Sequence, residues 1–251
     1  MKKIVLTFVL LFAITSNAQK LIPYNDGEQK LEGVLYNPTK SNGNAVLLLP
    51  AWKGIDANAK ENAAELAKLG YKTFVADIYG IDKRPTNSAE AGKSAGYFKT
   101  NYIEYQKRIQ LALNELIKQG ANKNKIAIIG YCFGGTGAIE AARANLSVQG
   151  VVSFHGGLGR NSERTIDVIN PKVLVLHGAD DFYVSEAEIK SFQDEMRTAK
   201  ADWQMNYYAD AVHGFTHTDG GNDKSKGVAY NEKAAKRSWK AMLAFFDEIF
   251  N

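Results

Sequence analysis

The residues best suited to chemistry lie where an apolar run gives way to a helical pattern. Ile126–Ile129 form a short apolar run, which is typical of a strand buried on both faces. The residues from Gly134 onward are small and helix-forming. Between these segments lies Gly130-Tyr131-Cys132-Phe133-Gly134, a Gly-x-nucleophile-x-Gly pattern in which Cys replaces the commoner Ser. The pattern predicts a sharp strand-to-helix turn that presents Cys132 as a nucleophile.

Cys132 is the single cysteine of the chain, so it cannot form an internal disulfide. A strand-to-helix turn would place its sulfur at a helix N-terminus. The helix dipole and the free N–H groups at that position favour a thiolate and can also hold an oxyanion. The alternative interpretation is a buried small hydrophobe, the usual role of a lone cysteine. The context of strand, turn and helix favours the nucleophile.

A nucleophile of this kind needs a base, and the sequence offers four histidines. His155 and His177 end apolar strands and could be satisfied by backbone groups alone. His213 begins a His-Gly-Phe segment in the loop after a predicted strand, and His217 follows four residues later. The expected chain order of nucleophile, acid and base favours His213 as the base.

The carboxylate that orients the base should follow the strand after the nucleophile unit. Val173–Leu176 is such a strand, and it leads to Asp180 and Asp181. Side chains of adjacent residues diverge, so only one of the two can meet His213. The residue pattern by itself does not choose between them.

Alternating apolar strands and amphipathic helices surround these residues. The predicted strands are Leu31–Tyr36, Ala45–Pro50, Tyr71–Ala76, Ile126–Ile129, Val148–Phe154, Val173–Leu176 and Trp203–Tyr208. The predicted helices cover Ala57–Leu69, one long segment Ala95–Lys118, the residues after Gly134, a segment capped by Ser185 with Glu188, and the C-terminus. This alternation predicts an α/β fold with a mostly parallel central sheet and helices on both faces. In such sheets the site lies at the C-terminal ends of the strands.

Composition favours one globular domain, because 45% of the 251 residues are hydrophobic and 23% are charged. Residues 1–18 form a separate segment: Lys2 and Lys3 precede the apolar run Ile4–Ile14, and Ser16-Asn17-Ala18 supplies a cleavage site. We expect an exported protein, periplasmic or secreted, whose domain spans residues 19–251. Removing the two lysines lowers the formal net charge from +4 to +2. The sequence therefore predicts neither a nucleic-acid partner nor a membrane anchor after cleavage.

Four motifs in chain order resemble the dienelactone hydrolase family of α/β-hydrolases. They are Gly-Tyr-Cys-Phe-Gly-Gly, Val-Ser-Phe-His-Gly-Gly, His-Gly-Ala-Asp-Asp and His-Gly-Phe, and the similarity runs from about residue 30 to the C-terminus. The family's Gly-x-x-Asp-x-x-Val pattern falls on Gly178, Asp181 and Val184, so the resemblance implies that Asp181 is the acid. It also implies that the backbone N–H groups of Trp52 and Phe133 hold the oxyanion.

The sequence departs from this family at substrate-binding positions. The resemblance places Ala51 where the family carries a Glu beside the resting thiol, and Ile81 and His217 where it carries arginines for a substrate carboxylate. Lys83 and Arg84 are nearby basic residues that could substitute, the alternative being solvated loop charges. The candidate substrate contacts are therefore Tyr131, Lys83, Arg84 and His217.

The resemblance implies a hydrolase that cleaves small-molecule carboxylic esters or lactones, as carboxymethylenebutenolidases do, through a thioester on Cys132. We expect a monomer or small homo-oligomer, with no metal or organic cofactor, because no histidine pair has ligand spacing on a helix and no dinucleotide fingerprint occurs. One alternative is a non-catalytic ligand-binding protein on the same scaffold. Another is a thiol redox protein, which lacks a second cysteine to resolve an oxidised Cys132.

Overall fold

A computed structural model describes residues 19–251, so the predicted signal peptide lies outside the described residues. Eight strands within these residues form one sheet in the order β1-β2-β4-β3-β5-β6-β7-β8. The strands are β1 Lys20–Asp26, β2 Gln29–Tyr36, β3 Ala45–Leu49, β4 Lys72–Val75, β5 Ile126–Tyr131, β6 Gly150–Phe154, β7 Lys172–Gly178 and β8 Trp203–Tyr208. Strand β2 is antiparallel to β1 and β4, and the other neighbours are parallel. The predicted mostly parallel sheet is confirmed.

Helices cover both faces of this sheet. They are α1 Ala57–Lys68, α2 Ser88–Thr100, α3 Tyr102–Lys118, α4 Phe133–Arg143, α5 Glu186–Thr198 and α6 Glu232–Phe250. Helices α1 and α6 bury apolar side chains on one face, and α2 to α5 bury theirs on the other. No helix in residues 19–251 is long and apolar enough to cross a membrane. The α/β architecture predicted from the sequence is therefore correct.

Strand β5 lies in the interior of the sheet, between β3 and β6. All of its residues are buried, as the apolar run predicted. Its last residues pair with the ends of both neighbours, Gly130 with Leu49 and Tyr131 with Phe154. This register places the turn after β5 at the centre of the C-terminal edge of the sheet.

The prediction of one long helix over residues 95–118 was wrong. The structure has two helices, α2 and α3, separated at Asn101 (φ −96°, ψ 60°). The backbone N–H and the side-chain amide of Asn101 both donate to the carbonyl oxygen of Tyr97, at 2.8 and 2.9 Å. Such local bonds compete with continuation of a helix. Helix α2 begins at Ser88, before the predicted start of the long helix at residue 95.

Candidate active site

The turn between β5 and α4 holds Cys132 in a strained backbone conformation, with φ 53° and ψ −112°. Two glycines make this turn possible. A Cβ atom on Gly130 would lie 1.9 Å from the carbonyl oxygen of Gly134, and one on Gly134 would lie 2.1 Å from the carbonyl oxygen of Leu49. Real Cβ atoms do not approach backbone so closely, so both positions require glycine. A strained residue at the centre of a sheet edge is a frequent feature of functional sites.

A chain of hydrogen bonds joins Cys132 to two residues that are distant in sequence. The sulfur of Cys132 lies 3.0 Å from Nε2 of His213, and Nδ1 of His213 lies 2.8 Å from Oδ2 of Asp181. The second oxygen of Asp181 accepts the backbone N–H of Tyr183 at 3.0 Å. Asp181 is buried and Asp180 is exposed. Of the two adjacent aspartates, the structure therefore places Asp181 against the histidine.

The protonation of this pair is set by opposing effects. Burial raises the pKa of the Cys132 thiol, but the hydrogen bond and charge of His213, followed by the charge of Lys99, bring that pKa below its ordinary value. Burial lowers the pKa of His213, but hydrogen bonds to Asp181 and Cys132 raise it to about 10. The two groups titrate together, and each shift favours a thiolate beside an imidazolium over the neutral pair.

Trp52 and Phe133, the two residues whose backbone N–H groups the family resemblance assigns to the oxyanion, both line the cleft that contains Cys132. Two tyrosines position these residues. The hydroxyl of Tyr79 donates to the carbonyl oxygen of Trp52 at 2.8 Å, and its ring stacks on Phe133. The hydroxyl of Tyr105 donates to the carbonyl oxygen of Phe133 at 3.0 Å. The ring of Tyr105 also stacks on the ring of Phe133, with 4.6 Å between the centroids. Sequence reasoning missed both tyrosines, since only the fold brings them to this turn.

The thiol opens into a cleft of about 610 Å³. A volume of this size suits a small-molecule ligand. Apolar and small residues form most of the lining: Ala51, Trp52, Gly92, Ala95, Gly96, Phe133, Gly157, Tyr183, Gly214, Gly220 and Val228. The charged and titratable residues of the lining are Lys53, Asp56, Lys99, Cys132, His213, His217 and Asp219. Cys132, His213, Trp52 and Phe133 thus line one cleft.

This geometry has a match among known proteins. The sequence pattern of the Dienelactone hydrolase family matches residues 31–250 of the chain. The chain belongs to this family. The resemblance inferred from the four motifs is confirmed, and the protein is a hydrolase.

Three proteins illustrate what this dienelactone hydrolase family member is similar to. A solved structure of a dienelactone hydrolase-like promiscuous phosphotriesterase from metagenomic libraries is 34% identical, with a TM-score of 0.86, and the match covers 93% of this chain and 99% of that one. An uncharacterized Caenorhabditis elegans protein is 33% identical over 57% of this chain and 92% of its own length. A Bradyrhizobium protein named Probable 2-oxo-3-(5-oxofuran-2-ylidene)propanoate lactonase is 24% identical over 80% of this chain and 82% of its own length.

The structure brings only one of the four candidate substrate contacts into the cleft of this dienelactone hydrolase family member. His217 lines the cleft, and burial lowers its pKa, so its ring is neutral at neutral pH. Lys83 and Arg84 lie outside the lining. Arg84 instead pairs with the buried Asp77 at 3.1 Å and donates to a backbone oxygen of β2. Its role is to hold the loop after β4.

Tyr131 is also outside the lining of the cleft. It is the last residue of β5, its side chain is 2% exposed, and its ring stacks on Phe154 at 4.5 Å between centroids. Because the pleat of a strand turns successive side chains to opposite faces, Tyr131 points into the core. A substrate in the cleft does not touch it.

A further histidine supports the turn. His155 is fully buried, and its Nδ1 accepts the backbone N–H of Cys132 at 3.2 Å. Burial, followed by the charge of His213, holds its pKa well below the ordinary value, so the ring is neutral. With Nδ1 as acceptor, the proton lies on Nε2, which is 2.8 Å from the hydroxyl of Thr216. The sequence-based expectation of a structural role for this strand-end histidine agrees with these contacts.

The described residues offer no obvious place for a metal. Across residues 19–251, no three His, Cys, Asp or Glu side chains are grouped so that they could hold an ion.

Proposed function

We propose that this protein is an exported cysteine hydrolase that cleaves carboxylic esters or lactones through a thioester on Cys132. The observation that carries the proposal is the chain of hydrogen bonds from Cys132 through His213 to Asp181, located at a strand-to-helix turn in the cleft. Nucleophile, base and orienting acid in this geometry form the arrangement used for acyl transfer.

In the acylation step, the Cys132 thiolate attacks the carbonyl carbon and a C–S bond forms. The carbonyl oxygen takes up the displaced electron pair, and the N–H groups of Trp52 and Phe133 donate to it. Collapse of this intermediate breaks the C–O bond to the leaving group. The His213 imidazolium gives its Nε2 proton to the leaving oxygen, which departs as an alcohol, or stays attached when the substrate is a lactone.

Deacylation uses the same groups in the reverse roles. Neutral His213 takes a proton from a water molecule while that water attacks the thioester carbonyl. The C–S bond breaks, the carboxylic acid leaves, and the thiolate and imidazolium are restored. Asp181 accepts the Nδ1–H throughout, so Nε2 remains the nitrogen that gains and loses the proton.

The test is hydrolysis of p-nitrophenyl acetate and of small lactones by the mature protein. We expect Cys132→Ala to lower kcat/KM by about 10³-fold or more, because it removes the atom that forms the covalent bond. Asp180→Asn is the matched control, since this exposed residue lies outside the cleft lining. Activity that survives in Cys132→Ala would exclude the thioester mechanism. A wild-type protein that binds these compounds without turnover would favour the ligand-binding alternative.

We also propose export, with cleavage after Ala18. The support is the sequence of residues 1–18, in which two lysines precede an apolar run and a small-residue site. N-terminal sequencing of the protein from the periplasmic or secreted fraction should begin at Gln19. A sequence that begins at Met1 would contradict export by this route.

A second candidate activity is hydrolysis of phosphotriesters. The relative described as a promiscuous phosphotriesterase is 34% identical and superimposes over nearly its whole length. A thiolate with two backbone donors could attack a phosphoryl centre as it attacks a carbonyl. Turnover of a p-nitrophenyl dialkyl phosphate by wild type, and its loss in Cys132→Ala, would support this activity. Absence of turnover in wild type would exclude it without affecting the ester proposal.

A further inference from the structure

Two glycines of helix α2 are unusual among the glycines in the α-helices of residues 19–251. Helix α4 contains the other three, and each is explained by packing. A Cβ atom on Gly134, Gly135 or Gly137 would lie 2.1, 2.9 or 2.4 Å from a neighbouring atom. In contrast, a Cβ atom on Gly92 would meet only Trp52, at 3.8 Å, and one on Gly96 would meet nothing within 4 Å. Packing therefore does not require glycine at either position.

Glycine is a poor helix former, second only to proline, so a helix gains nothing from it at an interior position. Gly92 and Gly96 lie four residues apart and so on the same face of α2. Both line the cleft that contains Cys132, together with the indole of Trp52. The volume that their side chains would fill is thus part of the cleft in front of the nucleophile.

The order of the strands indicates whether the acyl group or the leaving group of a substrate lies against the glycine face of α2. Helix α2 follows β4, His213 follows β8, and Cys132 follows β5, which lies between them in the sheet order. His213 must protonate the leaving oxygen, so the leaving group lies toward β8. The acyl group then lies toward β4 and the wall formed by α2.

We propose that Gly92 and Gly96 form the floor of a groove for the acyl group, and that they select substrates whose acyl chain is longer than acetyl. This inference rests on the proposed function and names the substrate class of the same site. The apolar face of Trp52 forms the other side of the groove. Each methylene buried against such a surface raises kcat/KM about threefold to fourfold.

The experiment measures kcat/KM for p-nitrophenyl esters that share one leaving group and carry acyl chains from acetate to octanoate. We expect the wild-type value to rise about 10-fold from acetate to butanoate. Gly96→Leu fills the groove, and should lower the ratio of hexanoate to acetate activity by about 10-fold or more. Gly92→Leu should change the same ratio in the same direction.

The control is Lys93→Leu, which adds a side chain of equal size on the same helix at an exposed position outside the cleft lining. It should leave the chain-length profile unchanged. A series of acetates with different leaving groups should show the same relative rates in wild type and Gly96→Leu. Gly96→Ala should raise Tm by about 2–4 °C, because alanine stabilises the helix.

The groove proposal would be refuted if the wild-type kcat/KM does not rise with acyl-chain length. It would also be refuted if the Gly96→Leu variant shows the same dependence on chain length as wild type. Folding of the leucine variants is checked by circular dichroism. If Gly96→Leu does not fold, the Gly92→Leu profile decides, and the wild-type series decides by itself if neither variant folds. A wild-type protein that hydrolyses none of the esters would instead refute the proposed function, and the groove inference with it.

Discussion

The resting state of Cys132 gives the prediction that the structure determines most fully. A thiol with the ordinary pKa of 9.0 is roughly 1% ionised at pH 7. Burial by itself would lower this fraction further. The hydrogen bond and charge of His213 act in the opposite direction and bring the thiol pKa below 9.0, while the His213 pKa rises to about 10. Between these two pKa values, the cysteine is a thiolate and the histidine an imidazolium.

Full ionisation of Cys132 sets the upper limit of the effect on reactivity. Full ionisation at pH 7 would raise the thiolate fraction about 100-fold over an ordinary thiol. A thiolate of lower pKa is also less nucleophilic, with a Brønsted coefficient of about 0.4–0.5, which removes about half of that gain on a logarithmic scale. We therefore expect His213→Ala to react more slowly with iodoacetamide at pH 7, by up to about 10-fold.

The assay is the alkylation rate of Cys132 as a function of pH. The wild-type midpoint should lie below 9.0 and the His213→Ala midpoint above it, because only burial still acts on the thiol in the variant. His217→Ala is the matched control, since His217 lines the same cleft without a hydrogen bond to the sulfur among the described residues. Coincident profiles that rise only near pH 9 would show that no ion pair forms in the free enzyme.

Three further predictions concern other residues of the site. Asp181→Asn should lower kcat by about 10³-fold or more by favouring the wrong histidine tautomer, while Asp180→Asn changes it less than threefold; the reverse order would contradict the geometry. Tyr79→Phe should lower kcat about 3-fold to 10-fold with KM little changed, because the carbonyl of Trp52 loses its hydrogen bond; an unchanged kcat would mean that this bond does not position the oxyanion donor. Lys99→Met should move the alkylation midpoint to higher pH, and an unmoved midpoint would exclude a contribution of this charge.

The sequence predicted the turn and its neighbours well because their constraints are local. Gly130 is required by a backbone contact within the turn, and the apolar run before it is a buried strand, as predicted. Gly134 is required by a tertiary contact with Leu49 of β3, but its place in the Gly-x-Cys-x-Gly pattern is local. The chain order of Cys132, Asp181 and His213 follows from the order of the strands. Cys132, His213 and the pair Asp180 and Asp181 were therefore identifiable before any tertiary contact was known, while the choice of Asp181 came from the family resemblance.

Features set by tertiary contacts were missed. Strand β1 contains Pro23 and does not alternate clearly, and it is stable as an edge strand because its partner β2 covers it. Arg84 was a candidate for substrate contact, but its guanidinium forms an ion pair with the buried carboxylate of Asp77. The roles of Tyr79 and Tyr105 depend on carbonyl groups far away in sequence, so no local pattern could identify them.

The covalent thioester is the central claim, and mass spectrometry tests it most directly. The mature protein is mixed with an activated aryl acetate, quenched in acid within the first turnovers, digested, and analysed for acetylated peptides. We predict a mass increase of one acetyl group on the peptide that contains Cys132, which disappears on treatment with hydroxylamine and does not form in Cys132→Ala. Turnover of the ester with no acetyl group on that peptide at any quench time, or with the same adduct in Cys132→Ala, would contradict the account.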